Sequence, residues 1–323
     1  MMPIRRLLYQ IFSKCHNKLA QNPKHVIMHT VMKKVTEIFK NKEKTFSFEL
    51  FPPKTDEGYQ KLLKTIESLS SLGPDFISCT YGAGGGRRDK TLDIVEHIEK
   101  EHQISGVAHL TCVLNTKSEI QNILEDIKQR DIQNILALRG DPPKDDLNWQ
   151  PTENNFKYAY ELCDFTRKQH QDHFAIGVAG FPEGHVLCPD KNLDTQYLKK
   201  KLDSGADYII TQLFFDNKDY FDYVKRLRNL GIKNRIIPGI LPITDYRGIS
   251  RFCKTCGTSI PKKVDEIFDP IAEDKDAVLE KGIHFCVNQC QDLINQGAPG
   301  IHFYTLNKFH PIDEIFNKIK PLL

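Results

Sequence analysis

The 323 residues carry 45 Lys and Arg against 42 Asp and Glu, a formal charge of +3, with 40% hydrophobic and 27% charged residues. That composition describes a soluble globular chain long enough for one large domain, and excludes intrinsic disorder. The near balance of charge gives no case for nucleic-acid binding, and no apolar run approaches the roughly 18 residues that span a bilayer.

Residues 1–36 contain no Asp or Glu but hold Arg5, Arg6, Lys14, Lys18, Lys24, Lys33 and Lys34, with Ile4, Leu7, Leu8, Ile11 and Phe12 spaced for one helical face. Scarce serine favours a basic tail, or a start at Met28 or Met32, over an organellar transit peptide. Residues 1–44 are therefore expected to form an N-terminal extension, disordered or helical, ahead of a domain spanning 45–323. The nine cysteines are scattered, several in apolar runs, which suits a reducing compartment such as the cytoplasm. Cys253-Lys-Thr-Cys256 has no second pair at zinc spacing, and with Cys286 and Cys290 beside His284 it reads as helix core and surface.

From Thr45 onward, short β-branched or aromatic runs alternate with helical patterns. Strands are predicted at 46–51, 76–81, 106–112, 134–140, 174–181, 208–215, 235–241 and 300–306. Between them lie three-and-four spacings such as Tyr59-Leu62-Leu63-Ile66-Leu69 and Ile120-Ile123-Leu124-Ile127. Eight βα units in this length predict an α/β fold, a (β/α)8 TIM-type barrel, with a doubly wound open sheet as the other architecture. A break at 255–261 and a helix at 278–295 predict an extra helix before the last strand.

Chemistry in such a barrel gathers at the carboxyl ends of the strands. Alternation in Phe46-Ser47-Phe48-Glu49-Leu50 sets Glu49 on the face opposite the three apolar residues, pointing into the barrel mouth. An apolar setting would raise its proton affinity and suit a general acid. The glycine-rich 82–86 run, followed by Arg87 and Arg88, offers backbone donors but fits neither a Walker loop nor a dinucleotide fingerprint. Arg139 and Asp141 are displayed around Gly140, and Phe181-Pro182-Glu183-Gly184-His185 ends another strand. Gln212 interrupts an apolar strand, so it is satisfied either by a neighbouring strand or by the edge of a bound heterocycle. His109, His185 and His302 lie on separate strands or loops, so no metal site is expected.

Several motifs resemble methylenetetrahydrofolate reductases: 48–55 (FELFPPKT), 80–83 (TYGA), 138–142 (LRGDP), 180–185 (GFPEGH), 205–216 (GADYIITQLFFD), 237–243 (IPGILPI) and 300–307 (GIHFYTLN). They occur in family order from about residue 45 to the end. The resemblance implies a barrel that binds FAD, takes hydride from NADH or NADPH, and reduces 5,10-methylenetetrahydrofolate in ping-pong fashion. By position, Thr80, Tyr81, Ala83, His109, Leu138, Arg139, Gly140, Asp141, Tyr158, Ala159, Phe181, His185, Asp194 and Lys201 would contact the flavin or its tail. Phe181 stands where bacterial relatives often have tyrosine. Glu49 matches the family's acid and Asp141 the aspartate that tunes flavin and pterin. Gln212 matches the residue serving nicotinamide and folate, and Phe252 falls by spacing where an aromatic ring stacks on either substrate. Small-molecule folate and nicotinamide would be the partners, with no nucleic acid and no membrane, in a homo-oligomer. Eukaryotic relatives add a regulatory domain, so the resemblance is to a bacterial-type chain holding the catalytic domain only. Another flavin barrel of the proline-dehydrogenase kind, or an inactive barrel serving in assembly, are the competing readings.

Overall fold

The computed structural model describes residues 33–81, 85–141, 150–188 and 190–323. Within them the β-branched runs form parallel strands: β1 (Thr45–Leu50), β2 (Phe76–Cys79), β3 (Ser105–Thr111), β4 (Asn134–Leu138), β5 (Ala175–Gly180), β6 (Tyr208–Thr211), β7 (Arg235–Ile237), β8 (Gly239–Ile240) and β9 (Gly300–Tyr304). Their order is β7-β6-β5-β4-β3-β2-β1-β9-β8. β7 and β8 are one stretch of chain split at Pro238, which has no N–H for the ladder. One half pairs with β6 and the other with β9, and the Pro238 carbonyl still accepts from the His302 N–H at 2.9 Å. The ring therefore closes, and the open doubly wound sheet is excluded.

The predicted strands each end a residue or more early, and two depart further. The 235–241 run is interrupted at its proline. The 208–215 run stops at Thr211, because Leu213 and Phe215 turn away into a separate apolar cluster with Leu241, Ile243, Tyr246, Val264 and Phe268.

The helical stripes pack as their spacing predicts. Helix α2 (Asp56–Ser70) starts at Thr55, whose side chain caps the Gly58 N–H, and it buries Leu62, Ile66 and Leu69. Helix α4 (Lys117–Gln129) starts with a Thr116–Glu119 capping box and buries Ile120, Ile123, Leu124 and Ile127. The ring is completed by α3 (Gly85–His102), α5 (Ala159–His170), α6 (Lys191–Asp203) and α7 (Asn217–Asn229). The extra helical material before the last strand comprises α8 (Tyr246–Cys256), α9 (Lys262–Phe268) and α10 (Lys275–Asn295); α11 (Ile312–Ile319) follows β9. The anticipated break falls just after Cys256, where Gly257 adopts a left-handed conformation and ends α8. Cys286 and Cys290 are buried on α10, and the described cysteines are all free.

Inside the barrel, Phe76, Val107, Leu136, Tyr208, Ile210 and Ile237 form one apolar layer. A short helix inside the stretch read as an N-terminal extension, α1 (Val35–Asn41), lies across the amino end of this layer. The Val35 N–H donates to Asn134 Oδ1 at 2.7 Å, and the Phe39 ring meets Phe76 and Tyr208 edge-on at 6.3 and 5.4 Å. The Arg235 guanidinium sits 4.6 Å over Phe39 and donates to the carbonyls of Lys42, Glu43 and Pro299. This end of the barrel is thus sealed, which leaves the carboxyl end for chemistry. We expect Phe39→Ala to lower stability by about 2–3 kcal/mol, below the scale for a fully buried aromatic ring because Phe39 is half-buried, as measured by urea unfolding. A loss under about 0.5 kcal/mol, within the range of surface substitutions, would show that α1 does not hold the barrel.

Candidate active site

Strand register decides what faces the mouth. Glu49 pairs with Ser78 of β2 on one side and Tyr304 of β9 on the other, while Ser47 pairs with Phe76 and His302. Phe46, Phe48 and Leu50 point outward into the helix-facing core. The alternation read from the sequence therefore places Glu49 inward, with its side chain 17% exposed.

Two histidines meet it there. His109 Nε2, from β3, lies 3.5 Å from Glu49 Oε2, and His302 Nε2, from β9, lies 3.6 Å from the same oxygen. Both imidazoles are buried, and neither Nε2 makes a hydrogen bond; the Ser78 hydroxyl, also buried, has no partner either. His302 Nδ1 is 2.7 Å from Ser47 Oγ. Burial pushes His109 down to about 4 against the pull of Glu49, and His302 beside it pushes the same way. His109 is consequently neutral near pH 7. The sequence separates these residues by up to 255 positions, and only the β1–β9 pairing brings Ser47, Glu49 and His302 together.

Tyr304 reaches across the mouth from β9 and donates to the Thr211 carbonyl of β6 at 2.6 Å. Gly239 makes this possible, since a Cβ there would lie 2.6 Å from the tyrosine oxygen and 2.2 Å from the Thr211 carbonyl. Next on β6 comes Gln212. Its backbone N–H donates to the Gly180 carbonyl at 2.7 Å, and its side-chain oxygen accepts from the Leu213 N–H at 2.9 Å. The chain itself thus satisfies the acceptor half of this amide. Its NH2 has no hydrogen bond among the described residues, so a ligand can take it up.

A second group surrounds the ends of β4 and β5. Gly140 turns with φ +82°, which separates Arg139 from the exposed Asp141. Burial lowers the His185 imidazole below its ordinary range; Lys201 and Arg139 add to this while Asp141 opposes it, so all four share one field. The His185 ring stands edge-on to Phe181 at 4.6 Å, and its Nδ1 accepts from the Leu187 N–H at 3.1 Å. Lys201 is half-buried, donates to the Ala179 carbonyl at 2.9 Å and lies 5.5 Å from the Phe181 ring centre. Burial raises Asp194 to about 6, held back by Lys201 and by the His185 backbone N–H. Arg139 and Lys201 form a cationic rim, with the uncharged His185 ring beside it, suited to an anionic tail.

The remaining expected residues sit around these two groups. Thr80 follows β2, with its N–H donating to the Leu50 carbonyl at 2.9 Å, and Tyr81 is partly buried beside it. Leu138 closes β4. Tyr158, 52% exposed at the start of α5, stacks on Tyr160 at 5.6 Å, and Lys200 covers the other ring at 3.7 Å; Ala159 is buried. Phe252 projects from α8 and is 48% exposed. Ala83 lies outside the described residues. Among the described residues, no group of three His, Cys, Asp or Glu is placed to hold a metal ion, and no helix is long and apolar enough to cross a membrane. A depression of about 530 Å³ between α10 and α11 is lined by Leu279, His284, His310 and Glu314, away from the strand ends.

His109 should remain neutral in a histidine NMR titration down to about pH 4. The unfolded chain takes up that proton near pH 6.5, so its contribution to stability is present above that pH and is lost as pH falls from about 6.5 toward 4. A resonance titrating near pH 6.5 would contradict the burial argument.

The family profile described as Methylenetetrahydrofolate reductase matches residues 34–320. The chain is 38% identical over 286 residues to methylenetetrahydrofolate reductase (NADH) 1 of Arabidopsis thaliana, covering 86% of this chain and 48% of that protein. It thus spans about half the length of several curated relatives it matches. To the 5,10-methylenetetrahydrofolate reductase of Escherichia coli it is 36% identical over 262 residues, covering 81% of this chain and 86% of that enzyme. Among solved structures, an uncharacterized protein from Clostridium thermocellum that binds two copies of 5-methyl-5,6,7,8-tetrahydrofolic acid superposes with a TM-score of 0.60 at 15% identity, covering 89% of this chain and 98% of that one. At that identity the likeness concerns the fold.

Proposed function

The chain belongs to the methylenetetrahydrofolate reductase family, and from that premise we propose that its barrel reduces 5,10-methylenetetrahydrofolate to 5-methyltetrahydrofolate with electrons from NADH or NADPH carried by bound FAD. The observation that carries this reading is Glu49, a largely buried carboxyl at the closed ring's mouth, set between two buried histidines whose Nε2 atoms lack partners.

The residues present fit a flavin. Buried polar atoms without partners are rare in a filled site, and the open edge of Gln212 and the partnerless His109 Nε2 face the same end of the barrel. The cationic rim of Arg139 and Lys201, with the neutral His185 beside it, would take the diphosphate, and the exposed Tyr158 face, backed by Tyr160 and Lys200, would take a flat ring. Thr80, Tyr81, Leu138, Gly140, Ala159, Phe181 and Asp194 would complete that binding surface. Bound FAD would supply hydride transfer from nicotinamide to the folate carbon.

The chain's own part is proton supply and orientation. Glu49, protonated, would give its proton to folate N10 as the bridging carbon–N10 bond opens, leaving a cationic iminium at N5. Asp141, negative at the end of β4, would stabilise that cation. Were Ser47 to donate to His302 Nδ1, the His302 Nε2–H, 3.6 Å from Glu49 Oε2, would be free to orient the carboxyl after a small approach. His109, neutral in the working range, would add hydrogen bonding without a second positive charge. The NH2 of Gln212 would engage the pterin or the nicotinamide carboxamide in turn, and Phe252 would stack on either ring. One pocket serving two substrates in succession implies ping-pong kinetics.

Glu49→Gln should slow reoxidation of the reduced enzyme by methylenetetrahydrofolate at least about 100-fold, the scale of a lost general acid. FAD content and reduction by NAD(P)H should stay within about threefold, because neither needs that proton. Stopped-flow absorbance separates the two half-reactions; normal reoxidation in this variant would remove Glu49 from the acid role.

A further inference from the structure

Glu183, inside the Phe181–His185 run, has no part in the chemistry above, yet it makes a specific long-range contact. Its carboxylate, half-buried on the loop after β5, accepts from the Ser259 backbone N–H at 3.1 Å and from the Ser259 hydroxyl. Ser259 lies three residues beyond the end of α8. Between them Gly257 is left-handed at φ +76°, and a Cβ there would come within 3.0 Å of Val186, on the same β5 loop. Thr258 Oγ1 donates to the Leu213 carbonyl at 3.2 Å, one residue beyond Gln212. The 257–259 turn is therefore tied to the exits of β5 and β6 together.

That turn ends the helix bearing Phe252. Cys253, the next residue, is buried in the apolar cluster with Leu213, Ile249 and Val264, against which Cys256 and Tyr304 also pack. The last turn of α8 thus lies between Tyr304 and the β5 loop, with Phe252 on its exposed side. A left-handed glycine leaves the direction of the departing chain to outside contacts, and hydrogen bonds to a carboxylate are stronger than neutral ones.

We propose that Glu183 is a positioning residue for substrate binding: its clasp on Ser259 fixes the end of α8 and so holds Phe252 where a nicotinamide or pterin ring stacks. The inference rests on the functional reading above, which supplies Phe252 with its ring.

The holoenzyme tests it by steady-state kinetics. Glu183→Ala should raise KM for both methylenetetrahydrofolate and NAD(P)H about tenfold, the scale of a lost charged hydrogen bond, with kcat and FAD content unchanged and the thermal midpoint lowered by only about 2–4 °C. Glu183→Gln, which can still accept from the Ser259 N–H, should return both KM values to within about twofold of the parent. Ser259→Ala should shift them in the same direction, and the double variant should be no worse than Glu183→Ala alone. Unchanged KM in a folded, flavin-loaded Glu183→Ala, or additive effects in the double variant, would overturn the clasp while leaving the functional reading intact. Should Glu183→Ala not fold, Ser259→Ala gives the same decision. If the parent enzyme itself is not reoxidised by methylenetetrahydrofolate, the functional reading falls, and the clasp's role with it.

Discussion

The pairing of β1 between β2 and β9 is the constraint on which the site depends. Side chains alternate along a strand, so a slip of one residue would turn Glu49 into the helix layer and Phe48 into the mouth. The register is held from both faces. Outward, Phe46 stacks on Phe316 at 4.1 Å and Phe48 packs near Phe303; inward, Ser47 meets His302 at 2.7 Å. Closing the ring through the split strand at Pro238 completes the arrangement, because β9 reaches β1 only when β8 holds its other side.

Closure also sets the electrostatics. The amino end is filled by Phe39 and Arg235 of one sealed layer, so polar groups in the barrel are exposed to ligand from the carboxyl end. There the same cause, burial, acts differently by residue type. It disfavours the charged form, which keeps His109 neutral and holds the proton on Asp194 up to about 6. Beside Glu49 the buried His109 thus adds no positive charge near neutral pH. Arg139 and Lys201 lie to one side, around β4 and β5, so Glu49 with its two histidines and the cationic rim occupy different arcs of the same ring.

Much of this was legible in the sequence because the governing patterns are local. Period-two alternation located Glu49 on the inner face, helical spacing located the buried stripes of α2 and α4, and Gln212 stood out as a polar residue in an apolar run. What lay hidden depends on contacts between distant residues. His302 comes beside Glu49, with Ser47 as its own partner, only through strand order, which alternation does not encode. The plugging helix α1 was masked by a basic, acid-poor stretch that reads as a tail, although Val35 and Phe39 are its packing residues. The strand end at Thr211 was set by an apolar cluster built from α8, α9 and α10, and the Glu183–Ser259 contact spans 76 positions. Family motifs, rather than spacing, pointed to flavin and folate.

The most direct test of the central claim is anaerobic stopped-flow on the purified wild-type holoenzyme. After reduction by NAD(P)H and removal of the nicotinamide, methylenetetrahydrofolate should restore the oxidised flavin spectrum in a single turnover with stoichiometric 5-methyltetrahydrofolate. A flavin that stays reduced when the folate is added, or a purified protein that holds no flavin, would contradict it.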